Sequence, residues 1–488
     1  MSTYGEIVFD LREYQTGIVE QTRDAFRTNR RVLIVAPTGS GKAVILAYVA
    51  YHAAQKGNRI YLIVHRSELM DQLSGTLREM DVRHGRIQPG WPASDWPVQI
   101  AMVATLSRRM SKYPAPELLF FDEAHHVIAS TYQKIADYWP NAKILGATAT
   151  PLRLDGRGLG KAFDAMVEGP RTRDLIDQGW LADFDYLAPP VRIDFSSVAV
   201  RMGDYAVDQL AAATDKATIT GDVIQHYREH LGNRPAIAFC VRVDHAEHVA
   251  EQAAAAGIKS VSVDGDTPEV ERKARIAGLG NGNTELLTAC DLISVGLDIP
   301  AVAGALLLRR TKSLAMFFQW IGRTLRIKHD GSRAVILDHA GNIHEHGLPD
   351  APRKWTLDDK KRRDPTPSVH TCERCYRVFA GGPSWRDSQT CDYFMQEGCI
   401  LNPDESLAGG GRVEPEVVDG TLQPFTRSPP WAGGLDIVLA SGQEYRAMME
   451  RADTYAKVEE IRKARGYSPY WTRHVMKSRA QPRKAKFG

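Results

Sequence analysis

The chain alternates short, nearly continuous apolar runs with longer segments of helical period. Over the first 150 residues the runs RVLIVAP, RIYLIVH, VQIAMVAT, ELLFFDEAHH and AKILGATATP each end in small, polar or charged residues. A run without polar alternation predicts a strand buried on both faces, as in a parallel sheet covered by helices. The pattern restarts after about residue 170 with PAIAFCV, KSVSVDG, ELLTACDL, GALLLRR and RAVILDHA. Two tandem α/β domains with parallel sheets are therefore predicted, over 1–168 and 169–348. From 351 to 367 the chain turns polar, and DDKKRRDPTP reads as a linker. A cysteine-bearing module over 366–402 follows, then loop-like sequence, then a basic, helical segment over 435–488. No repeat of solenoid period is visible.

A length of 488 residues agrees with about three domains. At 43% apolar and 25% charged, the composition is that of a soluble globular protein. No apolar run approaches the ~20 residues of a membrane helix, and the N-terminus lacks a secretion pattern. A cytoplasmic chain with no membrane partner is expected.

The net charge of +3 conceals an asymmetry, because residues 461–488 hold nine Lys/Arg and no Asp/Glu. Tyr467, Tyr470 and Trp471 are interleaved with cations such as Arg473. Cations neutralise phosphates and aromatic faces stack on unpaired bases; the competing reading is an amphipathic helix docking its aromatics on the body.

Of six cysteines, Cys240 and Cys290 fall in strand-like runs and read as buried thiols. Cys372, Cys375, Cys391 and Cys399 follow the spacing C-x₂-C-x₁₅-C-x₇-C. A C-x₂-C turn aims two thiolates at one tetrahedral ion, and two later thiolates close a structural Zn²⁺ site, with His370 as the alternative fourth ligand. Four unrelated buried thiols is the other reading. No open coordination position is implied, so the zinc would be structural.

The strand RVLIV leads into APTGSG and then into an apolar helix. Strand, glycine-rich loop and helix together form a phosphate cradle. Pro37, Thr38, Gly39, Ser40 and Gly41 would wrap the phosphates, with Lys42 on the outer ones. The next residue normally carries a hydroxyl for the Mg²⁺ of ATP, and here it is Ala43. Further on, Asp122 and Glu123 end an apolar run. An aspartate there can hold Mg²⁺, and the neighbouring glutamate can polarise an attacking water.

At this point the sequence resembles the superfamily 2 nucleic-acid helicases of the DEAH-box kind, over roughly residues 11–340. LREYQ resembles their adenine-reading segment, which implies Gln15 on the base with Arg12 and Tyr14 nearby. VHRSEL and VATLSRR resemble strand-contacting motifs and imply roles for His65, Arg66, Thr105 and Arg108. TATP resembles the element coupling hydrolysis to movement, with the hydroxyls of Thr148 and Thr150 counted among the nucleic-acid contacts. His125 completes the DEAH box and would bridge toward the second domain. CDLISVGLDIP resembles a motif usually written TDxxxRGLDIP; Asp291, Gly296 and Asp298 match, while Cys290 and Val295 replace Thr and Arg. QWIGRTLR matches QxxGRxxR, placing Gln319, Arg323 and Arg326 toward the γ-phosphate. Within the superfamily the likeness is to RadD-type bacterial and phage repair helicases.

The resemblance implies two RecA-like domains, ATP and Mg²⁺ as cofactors, and an ATP-dependent helicase or translocase on DNA, single-stranded or branched. Repair or replication proteins would dock through the zinc module or tail. Two contrasting readings stay open. One is a catalytically weak or dead nucleic-acid clamp, which Ala43 favours. The other is an RNA helicase, because such motifs grip backbone rather than bases.

Overall fold

The computed structural model describes residues 10–126, 130–153, 157–188, 198–201, 204–214, 218–290, 302–328, 330–358, 369–371, 378–380 and 458. They fall in two compact units, Met1–Ser368 and Val369–Gly488.

The first unit holds two parallel sheets. In the first, β1 (Arg31–Val35), β2 (Ile60–Val64), β3 (His84–Ile87), β4 (Val98–Met102), β5 (Leu118–Asp122), β6 (Lys143–Thr148) and β7 (Ala165–Glu168) lie in the order β3-β4-β2-β5-β6-β1-β7. Its helices are α1 (Glu13–Thr28), α2 (Lys42–Gln55), α3 (Ser67–Glu79), α4 (Val103–Arg109) and α5 (Ser130–Tyr138). One face is closed by a core that includes Ile18, Ile45, Leu46, Leu69 and Leu73 from α1, α2 and α3. The other is closed by Leu106, Tyr132, Ile135, Trp139 and Phe163. Burial on both sides is what the unbroken apolar runs demand.

α6 (Thr172–Asp177) leads to the second sheet. There β8 (Phe184–Leu187), β11 (Ala236–Cys240), β12 (Ser260–Val263), β13 (Leu286–Cys290), β14 (Gly304–Leu307) and β15 (Ala334–Asp338) run in the order β12-β13-β11-β14-β15-β8. A two-stranded ladder, β9 (Val200–Arg201) with β10 (Asp204–Tyr205), stands apart. Helices here are α7 (Val207–Thr214), α8 (Thr218–Leu231), α9 (Val243–Ala255), α10 (Glu269–Asn281), α11 (Leu314–Gly322) and α12 (Ile343–His346). In the second unit, β16 (Val369–Thr371) pairs antiparallel with β17 (Val378–Ala380).

Register decides where the site lies. Val35 of β1 sits opposite Thr148 of β6, and Asp122 of β5 opposite Ala147. Three strands thus end at one level, and everything following them meets at one rim, where ligands of such sheets bind.

Ahead of the stretch 358–367 that reads as a linker, residues 351–357 are docked. Arg353 donates to the carbonyls of His346 (2.6 Å) and Leu348 (3.3 Å) and lies 5.1 Å from the Phe318 ring. A few residues on, Trp355 and Leu357 pack on the core of the first sheet. The Gly160 N–H donates to the Leu357 carbonyl at 2.7 Å. The second domain is thereby strapped back to the first. Among the described residues no helix is long and apolar enough to cross a membrane.

At Gly158 a Cβ would collide with the Leu357 carbonyl, whereas at Gly75 in α3 it would meet nothing within 4 Å. Gly158→Ala is expected to destabilise by about 1–3 kcal/mol through forced displacement of the strap. Gly75→Ala is expected to stabilise by roughly 0.5–1 kcal/mol through helix propensity. Urea unfolding midpoints of the two variants check both signs.

Candidate active site

Gly39 (φ +87°) and Gly41 (φ +78°) both take the left-handed backbone that lets the loop close. A Cβ at Gly41 would lie 2.5 Å from Gln15 Nε2, so the loop has no room for one. Lys42 opens α2 and folds back, its Nζ donating to the carbonyls of Ala36 and Pro37, both at 3.1 Å. Burial lowers its pKa, Glu123 and Asp122 oppose that shift, and Arg323 adds to it. Ser40 Oγ is buried without a hydrogen-bond partner. Ala43 turns its methyl against the core of the first sheet.

Below the loop, Gln15 is fully engaged. Its Oε1 accepts from the Arg12 N–H (3.1 Å) and its Nε2 donates to the Ser40 carbonyl (3.2 Å). Tyr14 donates to the same carbonyl at 2.8 Å and receives Arg12 Nη1 at 3.2 Å. Gln15 therefore ties α1 to the phosphate loop. The Arg12 guanidinium lies 4.2 Å from the ring of Trp180, which no motif flags. The next residue, Leu181, covers Gly39, where a Cβ would come within 2.9 Å of it.

Across the rim, Asp122 Oδ1 accepts from the Glu123 N–H at 2.9 Å. Burial, reinforced by Glu123, pushes the Asp122 carboxyl up to about 6 against the pull of Lys42. Glu123 stands at φ +49°, a left-handed conformation that costs a non-glycine residue about 1–3 kcal/mol. His125 Nδ1 is 3.3 Å from both Glu123 Oε2 and Thr148 Oγ1. The Thr148 hydroxyl gives its one hydrogen to the Thr150 carbonyl (2.9 Å). Nδ1 is thus the protonated nitrogen, and it orients Glu123. Burial, then His65 and Lys42, drive the His125 pKa down to about 3, so the ring is neutral.

α11 brings the second domain to this rim. Ser313 Oγ caps the helix by accepting from the Met316 N–H (3.3 Å), and Asn342 fixes its approach by accepting from the Thr311 N–H (3.0 Å). Gln319 and Arg323, four residues apart, share one helical face. Gln319 Nε2 is buried without a partner. The guanidinium of Arg323 is close enough to lower the pKa of both Lys42 and Asp122. Gly322 lies against Thr38, with no space for a Cβ. Arg326 is three residues further on and half-buried.

His125 contacts Glu123 and Thr148 of the first domain, both at 3.3 Å. Thr148 and Thr150 are 0% and 1% exposed and Thr105 is 8% exposed, leaving almost no surface for a nucleic-acid strand. His65 and Arg66, after β2, and the exposed Arg108 on α4 do reach the surface. Asp291, Val295, Gly296, Asp298, Cys372, Cys375, Cys391, Cys399, Tyr467, Tyr470, Trp471 and Arg473 lie outside the described residues. Among the described residues no group of three or more His, Cys, Asp or Glu is placed to hold a metal.

Residues 8–153 match the family described as type III restriction enzyme, res subunit, and 216–328 match the helicase conserved C-terminal domain. A 51.5 kDa protein of a Lactococcus phage is 36% identical over 323 residues, 66% of this chain and 68% of that protein. The chain belongs to the superfamily 2 helicases. The ATP-dependent helicase named IRC3 of Saccharomyces cerevisiae is 28% identical, over 68% of this chain and 51% of its own length. Its Schizosaccharomyces pombe namesake is 27% identical over 69% and 58%. This helicase chain thus spans little more than half of the two yeast proteins. In fold it is similar to a fragment assigned to the HsdR subunit of a type I restriction enzyme from Vibrio vulnificus, with a TM-score of 0.57 and 20% identity over 72% of this chain and 67% of that one. That likeness fits two tandem RecA-like domains.

The rim fits Mg²⁺–ATP, the cofactor and substrate of this superfamily. Among the described residues Ser40 Oγ and Gln319 Nε2 find no hydrogen-bond partner, and Lys42 Nζ hydrogen-bonds carbonyls of its own loop. Lys42 and the loop amides would hold phosphate oxygens and Asp122 the ion, which supplies charge neutralisation.

His125 has a folded pKa of about 3 against 6.5 for an ordinary histidine. Unfolding therefore takes up a proton between those values, and stability falls as pH drops through that window. His125→Asn is expected to show a shallower loss of urea midpoint on acidification from above to inside the window.

Proposed function

We propose that the chain is an ATP-driven motor that moves along or remodels DNA in repair, recombination or replication. The observation that carries the reading is Arg323, delivered by the second domain into the charge field of Lys42 and Asp122. An arginine so placed stabilises charge developing on the transferred phosphate only when the cleft is closed. Glu123, oriented by His125, is the group to polarise the attacking water. Opening and closing of the cleft then changes the grip of the two domains on a strand at His65, Arg66 and Arg108.

DNA is favoured over RNA by the match of residues 8–153 to the res subunit of type III restriction enzymes, since restriction acts on DNA. By its motifs, the chain is grouped in this proposal with the RadD-type repair helicases. Ala43 supports the second reading, a weak or silent clamp. Losing one hydroxyl costs about 1–3 kcal/mol of ion binding unless a water replaces it.

The test is ATP hydrolysis across a Mg²⁺ titration with no nucleic acid, single-stranded DNA, forked DNA and RNA. Turnover stimulated by DNA, lost in Glu123→Gln and reduced on the order of 10³-fold or more in Arg323→Ala, is the expected result. Ala43→Thr is expected to lower the Mg²⁺ requirement. If the chain hydrolyses nothing with any strand, the clamp stands instead.

Structural zinc on Cys372, Cys375, Cys391 and Cys399 is a further part of the proposal. Its support is the C-x₂-C spacing of the first pair, with two further cysteines downstream. About one zinc per chain, released by thiol modification and lost in Cys372→Ser with Cys375→Ser, is expected. A metal-free chain of normal stability would exclude it.

A further inference from the structure

A groove of about 500 Å³ opens at the β3 edge of the first sheet, between the end of α3 and the loop 88–97. Its walls carry Arg78, Arg83, Arg86, Trp91 and Trp96. The geometry points to a second nucleic-acid site here, which takes an unpaired base on Trp91 and its flanking phosphates on the arginines.

The groove is built rather than incidental. Gln99 of β4 is buried and donates to the carbonyls of Ser94 (2.8 Å) and Trp96 (2.9 Å), so the loop is pinned to the sheet edge. Gly85 on β3 permits this docking, since a Cβ there would collide with Ser94 and Gln99. Held this way, the loop leaves Trp91 51% exposed, with the Arg86 guanidinium 4.6 Å from its ring. Arg83 lies 5.6 Å from the ring of Trp96. Preorganised aromatic faces beside guanidinium groups match single-stranded nucleic acid, whose bases stack and whose phosphates are anionic.

Charge complementarity singles out a polyanion. In the lining, three arginines face one carboxylate, Asp81. Asp71 of α3 holds Arg86 at 2.8 Å and is itself reached by Lys273 of the second domain at 3.4 Å. His84 contributes no charge. Its Nδ1 donates to the Val82 carbonyl (2.8 Å), its Nε2 accepts from Ser74 (2.7 Å), and burial lowers its pKa.

Position connects the groove to the proposed strand path. α3 starts one residue after Arg66 and its far end forms the groove wall, about 16 Å along the axis. β4, which pairs with β3, leads directly into α4 and Arg108. A strand leaving His65 and Arg66 after β2 and Arg108 on α4 would next meet the β3 edge. The inference rests on the proposed motor function and extends it to a holding site away from the ATP rim.

The experiment is binding of a labelled single-stranded DNA to the full chain over a salt series, together with ATP hydrolysis without nucleic acid. Trp91→Ala is expected to weaken binding about tenfold with an unchanged salt slope, and Trp91→Phe to restore most of it. Arg83→Ala is expected to lower the salt slope by about one. Basal hydrolysis stays at the unsubstituted level in all three. Variants that bind like the parent, with normal basal hydrolysis, overturn the groove and leave the motor standing. A parent chain that hydrolyses ATP yet binds no single strand overturns both.

Discussion

The site depends on one half-buried cation. Lys42 is partly withdrawn from water at the start of α2, and an ammonium in that position is tolerable only if its hydrogens and its charge are met. Two loop carbonyls take hydrogens, and Asp122 and Glu123 supply the opposing charge. Burial, reinforced by the carboxylate of Glu123, in turn makes Asp122 hold its proton more tightly than usual. The strand register that levels β1, β5 and β6 makes this arrangement possible, and the left-handed backbone of Glu123 is the local cost. Incoming phosphate can take over Lys42 without undoing any packing, since only loop carbonyls must let go.

The second domain touches the first near both functional surfaces. On the nucleotide side, Gly322 lies on Thr38 and Leu181 on Gly39. On the strand side, Arg272 of α10 binds Glu68 of α3 at 2.6 Å, with both side chains largely buried. Glu68 is two residues from Arg66. A rotation that loosens one interface therefore disturbs the other, and this linkage is what a motor requires.

Much of this was legible in the sequence because parallel strands buried on both faces leave unbroken apolar runs, and each run ended in its functional group. The phosphate loop was legible because only glycine suits the backbone at 39 and 41. Other parts were hidden for physical reasons. β3 is an edge strand of mixed composition, HGRI, with nothing apolar enough to mark it. Trp180 looks like any aromatic in a polar turn until the fold lays it under Arg12. Thr105, Thr148 and Thr150 carry hydroxyls at helix or strand ends, but neighbouring elements roof them over. Residues 351–357 read only as a polar stretch by composition, yet Trp355 and Leu357 are enough to dock them.

That docking changes how the two lobes can move. The polypeptide crosses from the first sheet to the second through α6, and returns to the first at Trp355 and Leu357. A pair of bodies joined by one tether can swivel, twist and splay. Joined at two separated points, like a door hung on two hinges, they keep essentially one rotation, about the line through both attachments. In the proposed motor, energy released at the rim is then channelled into a single stroke instead of being spread over many loose motions, unless the second hinge pin is drawn.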